Sequence, residues 1–201
     1  MAPKHIDDDV YTPESDQVIV LHDISWKQYS AVLDMLGDTH PGIRTHYLEG
    51  VLEIMSPSEK HEGIKTMLAR LVEIYAVERT IELNGFGQAT YRRRVKERGL
   101  EPDECYFIGR KKRFPDIAFE VVLSHGIIDR LAIYQGLGVR EVWLWRRGAF
   151  EIHRLTKAGY KRRDRSRFLP ELDFTVLATL VQAKDQTQAI REFRDSLRAR
   201  S

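Results

Sequence analysis

The sequence predicts a mixed α/β protein, and three observations support this. Residues 116–147 have the order strand, helix, strand, which is typical of a parallel crossover unit. Residues 43–55 alternate apolar and polar side chains around Glu49-Gly50, which indicates a β-hairpin. Residues 64–75 place apolar side chains at helical spacing, which indicates a helix with one buried face. That helix needs a sheet to pack against.

The first half of the chain gives clear element boundaries. A short strand is predicted at residues 17–22. Ser25 and Gln28 fit the N-cap and capping-box positions of a helix that ends near Gly37. After the hairpin, Ser56-Pro57-Ser58 separates it from the amphipathic helix. The apolar stripe of that helix consists of Ile64, Met67, Leu68, Leu71, Val72 and Tyr75.

The second half continues with strands and helices. A helix is predicted from Ser124 to about Leu137, because Gly138 provides a C-terminal stop. The remaining segments are mostly rich in strand-forming residues, and the last is a predicted helix with mainly solvent-exposed side chains. In order, these are strands at 104–108, 116–122 and 140–147, a hairpin of 150–155 with 159–163, and a helix at 185–199.

The composition is that of a folded, highly charged protein. Of 201 residues, 42% are hydrophobic and 31% are charged, which excludes a disordered or low-complexity chain. We expect a flexible lead-in over 1–16, one domain over 17–184 and a C-terminal helix over 185–201. The single cysteine, Cys105, excludes a disulfide framework and is expected to be a small buried side chain. No apolar run reaches the ~20 residues of a membrane span, and the N-terminus is acidic, so we expect a cytoplasmic protein.

Charge is distributed unevenly between the two halves. Residues 1–90 carry 7 basic and 15 acidic side chains, and residues 91–201 carry 25 basic and 15 acidic ones. The basic half is compatible with a polyanion such as nucleic acid, and a solvated surface is the alternative. The candidates for phosphate contacts are Arg92, Arg93, Arg94, Lys96, Arg110, Lys111, Lys112 and Arg113.

Three carboxylates mark a candidate site. Asp116 and Glu120 lie on one face of a predicted strand, because side chains alternate along a strand, and the other face is apolar. Asp103 precedes the neighbouring strand. Paired carboxylates offer the oxygen ligands that a hard cation such as Mg²⁺ prefers. The alternative is that the aspartates are turn residues and Glu120 is an exposed edge charge.

Four separated motifs occur in one order: GVLEIMSPSEKHE, GLEPDECYFI, FPDIAFEVV and DRLAIYQGLGVREVWLW. With them the chain resembles, over about residues 45–180, the Uma2 family of restriction endonuclease-like proteins in the PD-(D/E)XK nuclease superfamily. The resemblance implies a restriction endonuclease-like mixed β-sheet flanked by α-helices. It also implies Mg²⁺-dependent hydrolysis of phosphodiester bonds in nucleic acid, with DNA as the expected substrate. Asp103 and Glu120 match the family's metal-binding acids, and Asp116 is a further matching carboxylate.

The expected catalytic lysine is replaced in this chain. The superfamily motif would place it at Val122, and the family resemblance places it on the next helix at Arg130, four residues before Tyr134. Arginine neutralises phosphate charge but cannot act as a proton-transfer base, and Lys96 is a possible substitute. Two hypotheses therefore stand: a metal-dependent endonuclease, or a catalytically weakened nucleic-acid-binding or regulatory module on the same fold. A homodimer is the default expectation.

The first long helix offers two more candidates. The superfamily uses an acidic residue there, near His61 and Glu62, and the helical wheel turns His61 towards the sheet and Glu62 away from it. The alternative is that His61 is a satisfied buried histidine and Glu62 a first-turn charge that the helix dipole favours. We also expect Arg130 to pair with Glu120 or Asp116 and to lower the pKa of that carboxylate.

Overall fold

The computed structural model describes residues 15–37, 40, 42–87, 89–123 and 126–199. Most of the predicted lead-in therefore lies outside the described residues. The helices are α1 (Trp26–Leu36), α2 (Glu59–Glu78), α3 (Arg130–Leu137), α4 (Phe174–Val181) and α5 (Gln186–Arg198). The strands are β1 (Gln17–Leu21), β2 (Arg44–Leu48), β3 (Val51–Ser56), β4 (Leu83–Gly85), β5 (Tyr91–Arg93), β6 (Arg98–Leu100), β7 (Glu104–Ile108), β8 (Ile117–Val122), β9 (Glu141–Arg146), β10 (Ala149–Thr156) and β11 (Gly159–Arg163).

The strands form two sheets, and the predicted α/β class is confirmed. A five-stranded antiparallel sheet has the order β1-β3-β2-β6-β5, and a six-stranded mixed sheet has the order β11-β10-β9-β8-β7-β4. In the mixed sheet β8 and β9 are parallel, which confirms the crossover unit predicted over residues 116–147. The antiparallel sheet is an addition to the single mixed sheet that the sequence suggested.

Local signals in the first half of the chain were accurate. The Ser25 side chain accepts a hydrogen bond from the Gln28 backbone N–H, and the Gln28 side chain accepts one from the Ser25 backbone N–H. The predicted hairpin is β2–β3. Its two turn residues, Glu49 and Gly50, have φ values of 46° and 95°, as a tight hairpin with right-handed strand twist requires.

The start of α3 was predicted wrongly. The helix begins at Arg130 after its N-cap, Asp129, and the predicted first residue, Ser124, lies outside the described residues. The backbone N–H of buried Ile128 donates to the Glu53 carboxylate at 2.8 Å, so this segment is tied to β3 before the helix starts. The C-terminal prediction is confirmed, since Gly138 caps the helix in the left-handed conformation.

Both faces of β8 are buried, because hydrophobic clusters cover the mixed sheet on both sides at this strand. Ile117, Phe119 and Val121 pack in the core beneath α2, α4 and α5, whereas Ala118 packs with the buried residues of α3 on the opposite face. Helix α3 also contacts β2, β5 and β6, so it lies between the two sheets. The exposed-edge alternative for Glu120 is therefore wrong. No helix in the described part of the chain is long and apolar enough to cross a membrane.

Candidate functional site

A cluster of charged side chains lies buried where the two sheets meet. The antiparallel sheet contributes residues of β2 and β3, the mixed sheet contributes Glu120 of β8, and the β6–β7 connection contributes Asp103. Helices α2 and α3 contribute His61 and Arg130. Each of the following is at most 2% exposed: Arg44, His46, Glu53, His61, Asp103 and Glu120.

Asp103 is held by groups from three directions. Its Oδ2 accepts a hydrogen bond from the Val121 backbone N–H at 2.7 Å, and its Oδ1 lies 2.9 Å from Nε2 of His61. Nε of Arg44 lies 3.9 Å from the same Oδ1. Burial alone would raise the pKa of Asp103, but the hydrogen bond and charge of His61 lower it below the usual value. Asp103 is therefore a fixed carboxylate.

The predicted pairing of Arg130 with Glu120 is confirmed. Nη1 of Arg130 donates to Oε2 of Glu120 at 2.6 Å, and the Tyr134 hydroxyl, one turn later, donates to Oε1. The predicted fall in the carboxylate's pKa is wrong. Burial raises the pKa of Glu120 to about 7, because the charge of Arg130 offsets only part of the desolvation.

His61 lies on the sheet-facing side of α2, as the helical wheel predicted. Its Nδ1 lies 3.1 Å from Oδ2 of Asp16, so the ring bridges Asp16 and Asp103. Burial opposes the charged ring, but the two carboxylates raise the pKa of His61 to about 9. Glu62 points elsewhere: it is 41% exposed and pairs with Arg44 and Lys65. The structure thus brings His61, but not Glu62, against Asp103.

The hairpin contributes polar residues that sequence reasoning missed. His46 of β2 is the cross-strand partner of Glu53 in β3, and His46 faces Glu120 of the mixed sheet. The two ring nitrogens of His46 lie 3.9 Å from Glu53 and 4.0 Å from Glu120. Burial, followed by the charge of Arg130, keeps the pKa of His46 well below its usual value, so the ring is neutral. The available signal was the alternation of Arg44, His46, Glu53 and Met55 on one hairpin face.

Asp116 immediately precedes β8 and lies four residues before Glu120. It is buried, and its Oδ2 accepts hydrogen bonds from the Ile108 backbone N–H, at 3.0 Å, and from Lys112. Its Oδ1 lies 3.6 Å from Arg140. Four strand residues correspond to roughly 13 Å. The structure therefore uses Asp116 to close the β7–β8 turn and does not bring it to the other two carboxylates.

The predicted basic clusters also lie away from the buried carboxylates. Lys111 and Arg113 of the β7–β8 turn stack near Phe86 and Phe114, at the Asp116 end of β8. Arg93 donates to the Gly136 carbonyl near the C-terminal end of α3, the end opposite Arg130. Arg92, Arg94, Lys96 and Arg110 are exposed. The structure brings none of the basic candidates that it describes into contact with Asp103 or Glu120.

The guanidinium of Arg130 already binds oxygen atoms of the cluster. Nη1 of Arg130 lies on the Glu120 carboxylate and 3.5 Å from the carbonyl oxygen of Val121, and the charge of Asp103 also acts on Glu120. Carboxylate and backbone oxygens are ligands that hard divalent cations accept. No group of three or more His, Cys, Asp or Glu side chains converges as a metal site in the described ranges. The donor chemistry fits a divalent cation at the place that the guanidinium occupies.

Comparison with known proteins gives the family. No curated protein matches the chain. A family model described as "Uma2: Putative restriction endonuclease" matches residues 26–183, which is most of the chain. The matched span contains every residue of the buried cluster except Asp16, which joins it from the segment before β1. Restriction endonuclease-like families generally use a divalent metal. The chain belongs to the Uma2 family.

Proposed function

We propose that the chain is a nuclease that hydrolyses phosphodiester bonds of nucleic acid, with Mg²⁺ as the divalent cation. The family assignment supports the nuclease class. The observation that carries the proposal is the pair Asp103 and Glu120, buried beside each other with a cation, Arg130, on the second carboxylate. A pair of buried acids is costly for stability, so its presence favours a functional role.

Asp103, Glu120 and the Val121 carbonyl are the groups that would hold the ion. A bound ion would polarise a phosphate and lower the pKa of a coordinated water. Arg130 lines a cavity of about 640 Å³, so its side chain has space to turn away from Glu120. In that position its guanidinium would neutralise charge on the substrate phosphate.

The other side chains hold the two carboxylates in place. His61 and the Val121 backbone N–H fix one oxygen each of Asp103, and Asp16 fixes the His61 ring from the other side. Tyr134 fixes Oε1 of Glu120. Positioning groups of this kind keep catalytic carboxylates in one geometry before the substrate arrives.

A second candidate function has its own supporting observation. Arg130 stands where the family resemblance places a lysine, and arginine cannot take up the proton of an attacking water. Lys96, the substitute considered from the sequence, is exposed on the 3₁₀ turn of residues 94–96. A nucleic-acid-binding module that cleaves weakly or not at all is the function that this favours.

Cleavage assays with supercoiled DNA, single-stranded DNA and RNA separate the two. Each substrate is incubated with Mg²⁺, Mn²⁺ or EDTA. We expect metal-dependent cleavage that falls by at least about 100-fold in Glu120→Gln. Glu141→Gln is the matched control, because Glu141 is an equally buried carboxylate on the neighbouring strand whose oxygens bond Trp143 and the Arg167 backbone. This control should keep its cleavage activity.

Two results would count against the nuclease. One is the absence of cleavage of all three substrates with either metal. The other is equal loss of cleavage in Glu120→Gln and its control, which would indicate a folding effect. Binding that persists in EDTA and weakens steeply with salt, without cleavage, would favour the binding module.

A further inference from the structure

The cavity beside Arg130 lies on a part of the mixed sheet that α3 does not cover. It is bounded by the ends of β8, β9 and β10 and by the start of α3, with a volume of about 640 Å³. Arg146 and Ala149 are paired across β9 and β10, and Glu151 and His153 follow Ala149 on the same face. This face is the one that carries Glu120. The cavity therefore lies on the same face of the sheet as Glu120, and Arg130 is the residue that both lines the cavity and contacts that carboxylate.

The wall of the cavity has an excess of arginine. Arg130 lies at its inner end, and Arg146 and Arg147 lie at the β9–β10 turn, where both are exposed. Glu151 is the opposing charge, 4.0 Å from Arg146 and 3.4 Å from His153. The other acidic lining residue, Asp129, is the N-cap of α3.

Arg147 occupies a left-handed backbone position, as Glu49 does in the β2–β3 turn. Arg147 and Gly148 are the two turn residues between β9 and β10, with φ values of 53° and 79°. A two-residue hairpin turn of this type strongly prefers Asn or Gly at its first position. Because this conformation is shared with Glu49, the place of Arg147 on the cavity wall is the observation that points to binding.

The cavity also has an apolar wall. Val122, Leu144, Ile128 and Leu131 line it, below the arginines. Its volume lies within the range of about 300–1,000 Å³ that is typical of pockets for small ligands, which suits one nucleotide and is too small for a stretch of duplex. A base can stack on an apolar surface or on the plane of an arginine, and the guanidinium groups can donate hydrogen bonds to a phosphate.

We propose that this cavity binds one nucleotide of an unpaired strand, with its phosphate on Arg146 and Arg147 and the next phosphodiester directed to Arg130. The proposal rests on the nuclease function proposed above and adds its substrate form, single-stranded nucleic acid or an unpaired end. Arg162 of β11, the exposed cross-strand partner of His153, extends the basic face for neighbouring phosphates. Arg146 and Arg147 belong to none of the basic clusters that the sequence offered as candidates for phosphate contacts.

The test is a binding measurement in EDTA, which does not depend on cleavage. Fluorescence anisotropy compares a labelled single-stranded DNA 12-mer with the duplex of the same sequence, over a series of salt concentrations. We expect the single strand to bind more tightly. Arg147→Asn and Arg146→Gln should each raise its Kd about tenfold and lower the slope of log Kd against log salt by about 0.7.

Two controls separate a specific binding effect from changes in overall charge or stability. Arg191→Gln removes one exposed arginine from α5, which packs on the opposite face of the mixed sheet, and should leave Kd unchanged. Arg147→Asn should keep or raise the thermal unfolding midpoint, because Asn suits the turn better than Arg. A role in stability alone would move the midpoint and not the affinity.

The outcomes also separate this proposal from the nuclease proposal. Unchanged affinity and salt slope in both arginine variants would overturn the nucleotide site even if cleavage occurs. Equal or tighter binding of the duplex would overturn the unpaired-strand assignment. Arginine-dependent binding of the single strand without any metal-dependent cleavage would support the site and refute the nuclease.

Discussion

The pair formed by Arg130 and Glu120 predicts a large stability effect. The Glu120 side chain is 1% exposed and that of Arg130 is 11% exposed, and their contact distance is 2.6 Å. At a pH above about 8, where Glu120 is ionised, removing one partner of such a buried pair leaves the other charge without its counterion, which costs about 3–5 kcal/mol. For a chain of this size, 1 kcal/mol corresponds to about 2–4 °C in Tm. Arg130→Ala should therefore lower Tm by about 6–20 °C.

Two further variants apportion this effect. Arg130→Lys keeps a cation near Glu120 but loses the second nitrogen, which lies 3.7 Å from the Met55 sulfur, so we expect a loss of about 1–2 kcal/mol. The double variant Arg130→Ala/Glu120→Gln removes both charges. Its destabilisation should be smaller than the sum of the two single variants by about 2 kcal/mol.

Urea unfolding followed by circular dichroism measures these differences at one pH and salt concentration. A cost below about 1 kcal/mol for Arg130→Ala, or additivity of the two single variants in the double variant, would refute the predicted coupling of Arg130 and Glu120. In cleavage assays, Arg130→Lys should keep or raise activity, because lysine has a titratable amine, and Arg130→Ala should lower it. Silence of both variants in an active enzyme would remove Arg130 from the site.

Three other predictions test separate parts of the molecule. Cys105 is fully buried, and burial raises its pKa to about 11. Iodoacetamide should therefore label the native protein at pH 8 far more slowly than the urea-unfolded protein. Equal labelling rates would contradict this prediction. Asp16→Ala should cost about 2–4 kcal/mol in urea unfolding, because Asp16 bonds both His61 and the N-cap of α2, and a loss below about 0.5 kcal/mol would contradict this. Gly126→Ala would place Cβ 2.6 Å from the Glu53 carboxylate and should destabilise by about 1–3 kcal/mol, whereas Gly63→Ala, with open space in α2, should be neutral or stabilising.

The predictable elements were those whose signals are local. The capping box of α1 and the turn at Glu49-Gly50 each involve residues within four positions of one another. The missed strands β4, β5 and β6 have three residues each, too short for alternation to be read. Helix α4, which was also missed, has only eight residues, and its capping signal, Asp173, follows a proline-containing turn.

The same distinction between local and long-range signals applies to the candidate site. Alternation correctly placed Glu120 inside a strand, and helical periodicity correctly turned His61 towards the sheet. Neither pattern carries distance information, so Asp116 was grouped with Glu120 although the two lie four strand residues apart and have separate partners. His46 and Glu53 were missed for a related reason. Their face of the hairpin is polar, as a solvent-exposed face would be. It is buried because the antiparallel sheet packs against α3.

The identity of residue 130 follows from what that packing requires. Its side chain must satisfy Glu120, lie near the carbonyl oxygen of Val121 and contact the Met55 sulfur, and it must still reach the cavity. A guanidinium does this with donors spread over a rigid plane, whereas an ammonium is a single point charge. Arginine therefore binds three groups from β3 and β8 at once and links the two sheets, but it cannot accept a proton. The cation that stabilises this junction is the same one that a metal ion and a substrate phosphate would have to draw away from Glu120, so binding of substrate and opening of the carboxylate pair should be coupled.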